Sequence, residues 1–251
     1  MVYGLRAYEY WLIVYRRIFR ATIASSILNP VLYLAALGVG LGKVVQTNKL
    51  GIPYLDYVAP GLLAAVGMQV ATIDSSFPIR GAVIWGKQYF SMLSTPLRVD
   101  DLLVGHLLYI ATRVAASAAV YLAIITAFGA VHSPLALFTV PVDVLLGLAL
   151  AGPVSAVAIS AERDPFNPLF RFVITPMFLF SGVFYPITQL PHGLREIAYA
   201  TPLYQAASFD RGLTLGTISA DRALLRVLYF LVFIAVGVVL ARRAYRKKLI
   251  T

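Results

Sequence analysis

Cysteine is absent from the 251 residues, so no disulfide framework, thiolate nucleophile or cysteine-ligated zinc site is available. Charge is scarce as well, at 13% of the chain, where soluble domains carry about 25%. The three histidines, His106, His132 and His192, form neither an H-E-x-x-H run nor a close pair, which argues against a bound metal. No P-loop is present: the nearest dipeptide, Gly42-Lys43, has Leu37 where the motif needs its first glycine and Val44 where it needs Ser or Thr. Gly38-x-Gly40 sits inside an apolar run rather than after a strand, which excludes a dinucleotide fingerprint. Ser181-Gly182 is not a nucleophile elbow, because Leu179 stands where G-x-S-x-G needs glycine. No stretch is polar and long enough to fold as a separate soluble domain.

What fills the chain instead is apolar: 60% hydrophobic residues, with 15 Tyr and 14 Phe, and a formal net charge of +10. Arg6, Arg16, Arg17 and Arg20 precede the apolar runs, and Arg242, Arg243, Arg246, Lys247 and Lys248 follow them. Basic flanks around apolar runs read as an integral membrane protein with both termini cytoplasmic. The basic residues form no stripe with interleaved aromatics, so no nucleic-acid partner is implied.

Leu5, Tyr8, Leu12, Tyr15 and Phe19 recur at gaps of three and four, with Trp11 and Ile18 widening that face. Residues 3–20 are expected as a basic amphipathic helix lying at the headgroup level, or else packed on a partner protein. Because the next apolar run is long enough to span, it reads as a retained helix and not a cleaved signal. Six spans are expected, at about 22–42, 57–79, 102–129, 135–160, 169–187 and 222–241. Pro30 should kink the first, and Pro176 and Pro186 interrupt the fifth. Residues 188–221 are too apolar for a free loop and too broken for a span, so short re-entrant helices are expected there. An even count returns the chain to its starting side and puts the larger share of Lys and Arg in the cytoplasm. The fold class is therefore all-α integral membrane: one domain over 1–251, with six transmembrane helices, an N-terminal interfacial helix and short re-entrant helices between spans five and six.

Asp74, Arg113 and Asp143 fall inside expected spans, at depths of about 9, 16 and 25 Å from the cytoplasmic side on a rise of about 1.5 Å per residue. Charges at such depth face a bundle interior or a wet cavity. Arg113 is placed to reach either carboxylate, as a structural ion pair or as the lining of a substrate route; a proton relay is the weakest reading, because the spans lack chains of His and Glu. Two inner polar stretches stand out. Residues 80–101 read as a short helix, a Thr95-Pro96 turn and an Asp-capped helix start; the second runs from Glu162 to Pro168. Either is a docking surface for a soluble partner or a solvated loop.

Ser94-Thr95-Pro96-Leu97 leading to Asp101-Leu102-Leu103-x-Gly105 resembles the first cytoplasmic loop of ABC-2 type transporter permeases. Thr175-Pro176-Met177-Phe178-Leu179-Phe180-Ser181-Gly182-Val183-Phe184-Tyr185-Pro186, then Leu190-Pro191, is similar to the fifth-span signature of that family. Thr201-Pro202-Leu203-Tyr204, then Arg211-Gly212, resembles its stretch before the last helix. The likeness covers essentially the whole chain and looks nearest to the short permeases of drug, polyketide and lipooligosaccharide (nodulation-factor) exporters. Gln205 stands near a place where members often carry histidine, which leaves the substrate class open.

The resemblance implies a permease of the bacterial cytoplasmic membrane, pairing with a second permease chain and carrying two cytosolic ABC ATPase subunits, which bind the ATP and Mg. It exports an amphipathic or lipid-linked substrate and binds no cofactor itself. Lys87, Met92, Leu93, Thr95, Pro96, Leu97, Arg98 and Asp101 would form the main coupling helix and its turn, with Glu162 and Asp164 as a smaller contact. Asp74, Arg113 and Asp143 remain path or ion-pair candidates, and Ser181, Gly182, Phe184, Pro186 and Pro202 would build the outer gate. Two other classes stay open on the residues alone. An ion-driven secondary transporter would want midplane acids and internal repeats, of which the spans show little; an intramembrane enzyme or scaffold would have no ATPase requirement.

Overall fold

The computed structural model describes residues 2–36, 51–161 and 165–250. Every regular element among them is helical. Among the described residues, four helical stretches are long and apolar enough to cross a membrane: Tyr54–Trp85, Val99–Ala127, Pro134–Ser160 and Ala220–Ile250. The chain is thus a multi-pass membrane protein.

The first helix, α1 (Val2–Tyr33), is continuous across the boundary at which an interfacial helix was expected to give way to a span. The remainder of that span, towards 42, lies outside the described residues. The inward face of α1 is also shifted from the expected one. Gly4, Ala7 and Trp11 are buried, with Tyr8, Leu12 and Tyr15 half-buried beside them, while Leu5 is exposed. Small residues set this face, because α1 crosses α5 at Gly105: a Cβ there would lie 2.5 Å from the Ala7 Cβ and 2.7 Å from the Tyr8 nitrogen.

Helix α2 (Tyr54–Asp74) stops where the expected second span continued. Thr72 turns its hydroxyl onto the Met68 carbonyl and Ser76 onto that of Ile73, competing with the backbone ladder, and Pro78 has no N–H to give. The chain restarts as α3 (Phe77–Arg80) and a π turn, Gly81–Trp85. Lys87 takes a left-handed φ of 51° and re-aims the chain into α4 (Gln88–Leu93). Then comes α5 (Val99–Ala127), and after a 3-10 turn α6 (Thr139–Ser160).

Helix α6 is central, packing on α2, α5, α10 and α11. Its crossing with α11 (Ala220–Ile250) is backbone to backbone: a Cβ on Gly152 would sit 2.5 Å from the Gly237 carbonyl carbon. Small residues at membrane helix crossings allow this approach. Leu63, Met68, Tyr121, Ile125, Leu146 and Phe230 fill the main core.

The expected fifth span is shorter than its sequence pattern. It comprises α7 (Phe166–Leu169), a π turn and α8 (Thr175–Phe180), ending well before 187. Gly182, at φ 71°, and Pro186 end it. Two short helices follow, α9 (His192–Ala200) and α10 (Pro202–Thr214).

Candidate functional site

The residues of 87–101 that the resemblance assigns to coupling lie at one end of the bundle. The turn Ser94–Pro96 is exposed, as are Lys87 and Arg98, while Met92, Leu93 and Leu97 pack partly inward. Asp101 acts first as a cap: its Oδ2 accepts from the Arg98 backbone N–H at 2.9 Å. Glu162 and Asp164 lie outside the described residues.

Tyr89 anchors this segment and was not singled out by sequence reasoning. It is fully buried, its ring 6.3 Å from Trp11 and 6.0 Å from Tyr245. Trp11 in turn stacks on Tyr109 at 5.6 Å and meets His106 edge-on at 5.2 Å. Four elements, α1, α4, α5 and α11, therefore meet in one aromatic box. Beside it Asp100 accepts from Arg242 through both oxygens, at 2.9 and 2.7 Å, and from Arg246 at 2.7 Å. Arg80 Nη1 donates to the Ala161 carbonyl at 2.7 Å, and Phe77 meets Phe166 at 4.3 Å. These two contacts join α3 to the end of α6 and to α7.

Within the bundle, Arg113 chooses Asp74 over Asp143. Its Nε donates to Asp74 Oδ2 at 3.0 Å, and its guanidinium lies 4.1 Å from the Tyr15 ring centroid. Asp143 is fully buried on α6 and comes within side-chain hydrogen-bonding reach of Asp210 on α10. Among the described residues no group hydrogen-bonds to any of the four carboxyl oxygens. Asp210 was missed because it lies in the segment read as re-entrant, although an Asp-Arg pair inside an apolar helix is itself a signal.

Among the expected gate residues, Gly182 is held by two side chains. Gly182 O accepts from the Tyr57 hydroxyl at 2.9 Å and from Arg211 Nη2 at 3.1 Å. Arg211 Nε donates to Tyr57 O at 3.0 Å, and Tyr54 donates to Phe184 O at 3.1 Å. Ser181 is buried, Phe184 meets Phe178 at 5.1 Å, and Pro202 opens α10 behind a Thr201 cap. Pro186, by contrast, only starts the 3-10 turn Ile187–Gln189. Gln205, the departure from the family pattern, donates to Tyr199 O at 2.8 Å. A groove of about 510 Å³ runs between α8 and α9, lined by Phe172, Pro176, Phe180, Leu194 and Ile197 among others. No group of three or more His, Asp or Glu that could hold a metal occurs among the described residues.

The second span is thus broken, with a capped helix–turn–helix at one bundle end and a glycine-centred latch at the other. Comparison with known proteins identifies the family. The profile of the ABC-2 type transporter family matches residues 9–212. Nodulation protein J of Rhizobium leguminosarum bv. viciae is 32% identical over 93% of this chain and 94% of its own length. Its namesake from R. leguminosarum bv. trifolii is 31% identical over 82% and 81%, and that of Sinorhizobium fredii 30% over 80% and 79%. No solved structure matches the chain. With the profile covering both the turn at Thr95-Pro96 and the latch at Gly182, the chain belongs to the ABC-2 type transporter family.

Proposed function

We propose that this chain is the permease subunit of an ATP-driven exporter, moving an amphipathic or lipid-linked substrate (a drug, lipid, glycolipid or polyketide) out across the cytoplasmic membrane. Two such chains, or this one and a sister permease, carry two cytosolic ATPase subunits that hold the ATP and Mg. Six spans leave both termini cytoplasmic, and the α4 end of the bundle faces the cytosol. The short helices α9 and α10 then dip into the outer leaflet beside the Gly182 latch.

The observation that carries this reading is the build of the segment 87–101. Its turn is exposed and polar, yet it is rooted in the bundle by a wholly buried tyrosine. A solvated loop has no need of such a root, whereas a lever driven by a partner does. ATP-driven closure of the ATPase pair would push on α4, and Tyr89 would pass the displacement to α1, α5 and α11.

The test is a tagged purification from the native membrane in mild detergent, with ATP hydrolysis assayed. A stoichiometric soluble partner carrying a P-loop, active in the complex, is the expected result. A chain that yields no ATPase, even after crosslinking at residues 85–101, overturns the reading. The Asp143–Asp210 pair favours one rival, a carrier driven by an ion gradient. Transport that collapses with a protonophore and ignores ATP would establish that rival instead.

A further inference from the structure

Helix α11 is longer than a membrane requires. Its 31 residues extend about 46 Å at a rise of about 1.5 Å per residue, against about 30 Å of hydrocarbon. If the crossing starts near Arg222, the turns from about Arg242 onward stand clear of the acyl chains. They are nonetheless held rigidly. Arg242 and Arg246 grip Asp100 at the start of α5, Tyr245 packs on Tyr89, and Leu249 is buried. The projecting end of α11 is thus one body with α4.

Between them lies a groove of about 510 Å³, lined by Leu93, Arg98, Val99, Arg246, Leu249 and Ile250, with Asp100 at its side. Its apolar wall ends in Ile250, which is 71% exposed. Two cationic groups line it, Arg98 and Arg246, against one acid, Asp100, which also pairs with Arg242. Arg243, Lys247 and Lys248 on the same turns raise the positive field further.

We infer that the last two turns of α11 complete the ATPase docking surface, and that this groove takes an acidic segment of the partner ATPase edged by apolar side chains. The inference rests on the permease reading above. Anionic lipid headgroups would meet the charge. They would not account for an apolar wall standing beyond the hydrocarbon and continuous with α4.

The natural chain has no cysteine, so single cysteines report cleanly. The complex would be purified from native membrane carrying Ile250→Cys, Ser94→Cys on the α4 turn, or Leu225→Cys at the other end of α11. Each would be labelled with a maleimide photocrosslinker. ATPase adducts at 250 and 94 but none at 225 are expected. Adducts at 94 with none at 250, or only lipid adducts at 250, overturn the inference and leave the permease reading standing. No ATPase adduct at either 250 or 94 overturns both. Charge gives a second readout: Ile250→Glu should weaken ATPase retention about tenfold, the scale of one misplaced rim charge, while Ile250→Lys retains it. Equal effects of Glu and Lys would mean that the groove does not read charge, and would overturn the acidic assignment.

Discussion

Arg211 lies over the ring of Tyr57, 3.8 Å from its centroid, and both side chains donate to the carbonyl of Gly182. One residue of α10 thereby holds α2 and the turn after α8 together. Arg211→Lys keeps the charge but loses the planar fork and the ring contact, and should cost about 1–2 kcal/mol in a desolvated site. Gly182→Ala adds left-handed strain of about 1–2 kcal/mol, and its Cβ would meet Ile187 Cγ2 at 2.7 Å. Thermal unfolding in detergent measures both. Transport that falls more steeply than stability in the two variants would mark the latch as a moving part.

Asp143 and Asp210 face one another with no donor among the described residues. Two carboxylates placed side by side without a donor between them repel one another. An amide at one position donates permanently into the remaining carboxylate. Asp210→Asn should therefore leave stability unchanged or raise it by about 1 kcal/mol. Asp210→Ala removes the partner and opens a void, and should lower it. Thermal unfolding of the two variants side by side decides the point, and a loss of stability in Asp210→Asn equal to that in Asp210→Ala would refute it.

The long helices were legible in the sequence because their apolar runs are uninterrupted. Helices α5 and α6 lie close to the expected 102–129 and 135–160. The break after Asp74 was not legible, since hydropathy continues through Ile79 and only the local bonding of Thr72 and Ser76 stops the ladder. The fifth span was expected to reach 187, interrupted by Pro176 and Pro186, whereas the conformation of Gly182 cuts it short. At the site, Arg113 announced itself by its depth, but depth left both Asp74 and Asp143 in range. Only the packing of α2 against α5 selects Asp74. Tyr89 carried no signal at all: one tyrosine among 15 reads as core or surface until its neighbours from α1 and α11 are known.

Gly105 closes the family-like run Asp101-Leu102-Leu103-x-Gly105, and its reason is steric. A Cβ would come within 2.8 Å of three atoms of Ala7 and Tyr8. Gly105→Leu should lever α1 away from α5 and expose Trp11. The expected outcome is correct insertion with a red-shifted tryptophan emission and rapid protease cleavage near α1. Unchanged emission would mean that α1 docks without this contact.

Arg98 and Asp101 separate docking from folding. Arg98 is exposed, so Arg98→Glu should leave thermal stability within about 0.5 kcal/mol. Under the proposed function it should still reduce the transport achieved per ATP hydrolysed. Asp101→Ala removes the cap of α5 and should cost about 1 kcal/mol. Normal transport in Arg98→Glu would remove that residue from the docking surface.

Tyr89 offers the sharpest separation of lever from scaffold. Its ring fills a box shared by four helices, and its hydroxyl lies buried among them. Tyr89→Phe keeps the ring and should change stability by no more than about 1 kcal/mol. Tyr89→Ala empties the box and should cost about 3–5 kcal/mol. Tyr89→Leu is the informative intermediate, because it keeps apolar bulk but loses the planar contacts with Trp11 and Tyr245. If the ring only fills space, Leu behaves like Phe in every assay. If it passes displacement from α4 to α11, Leu inserts and binds the ATPase normally while transport per ATP hydrolysed falls severalfold in proteoliposomes.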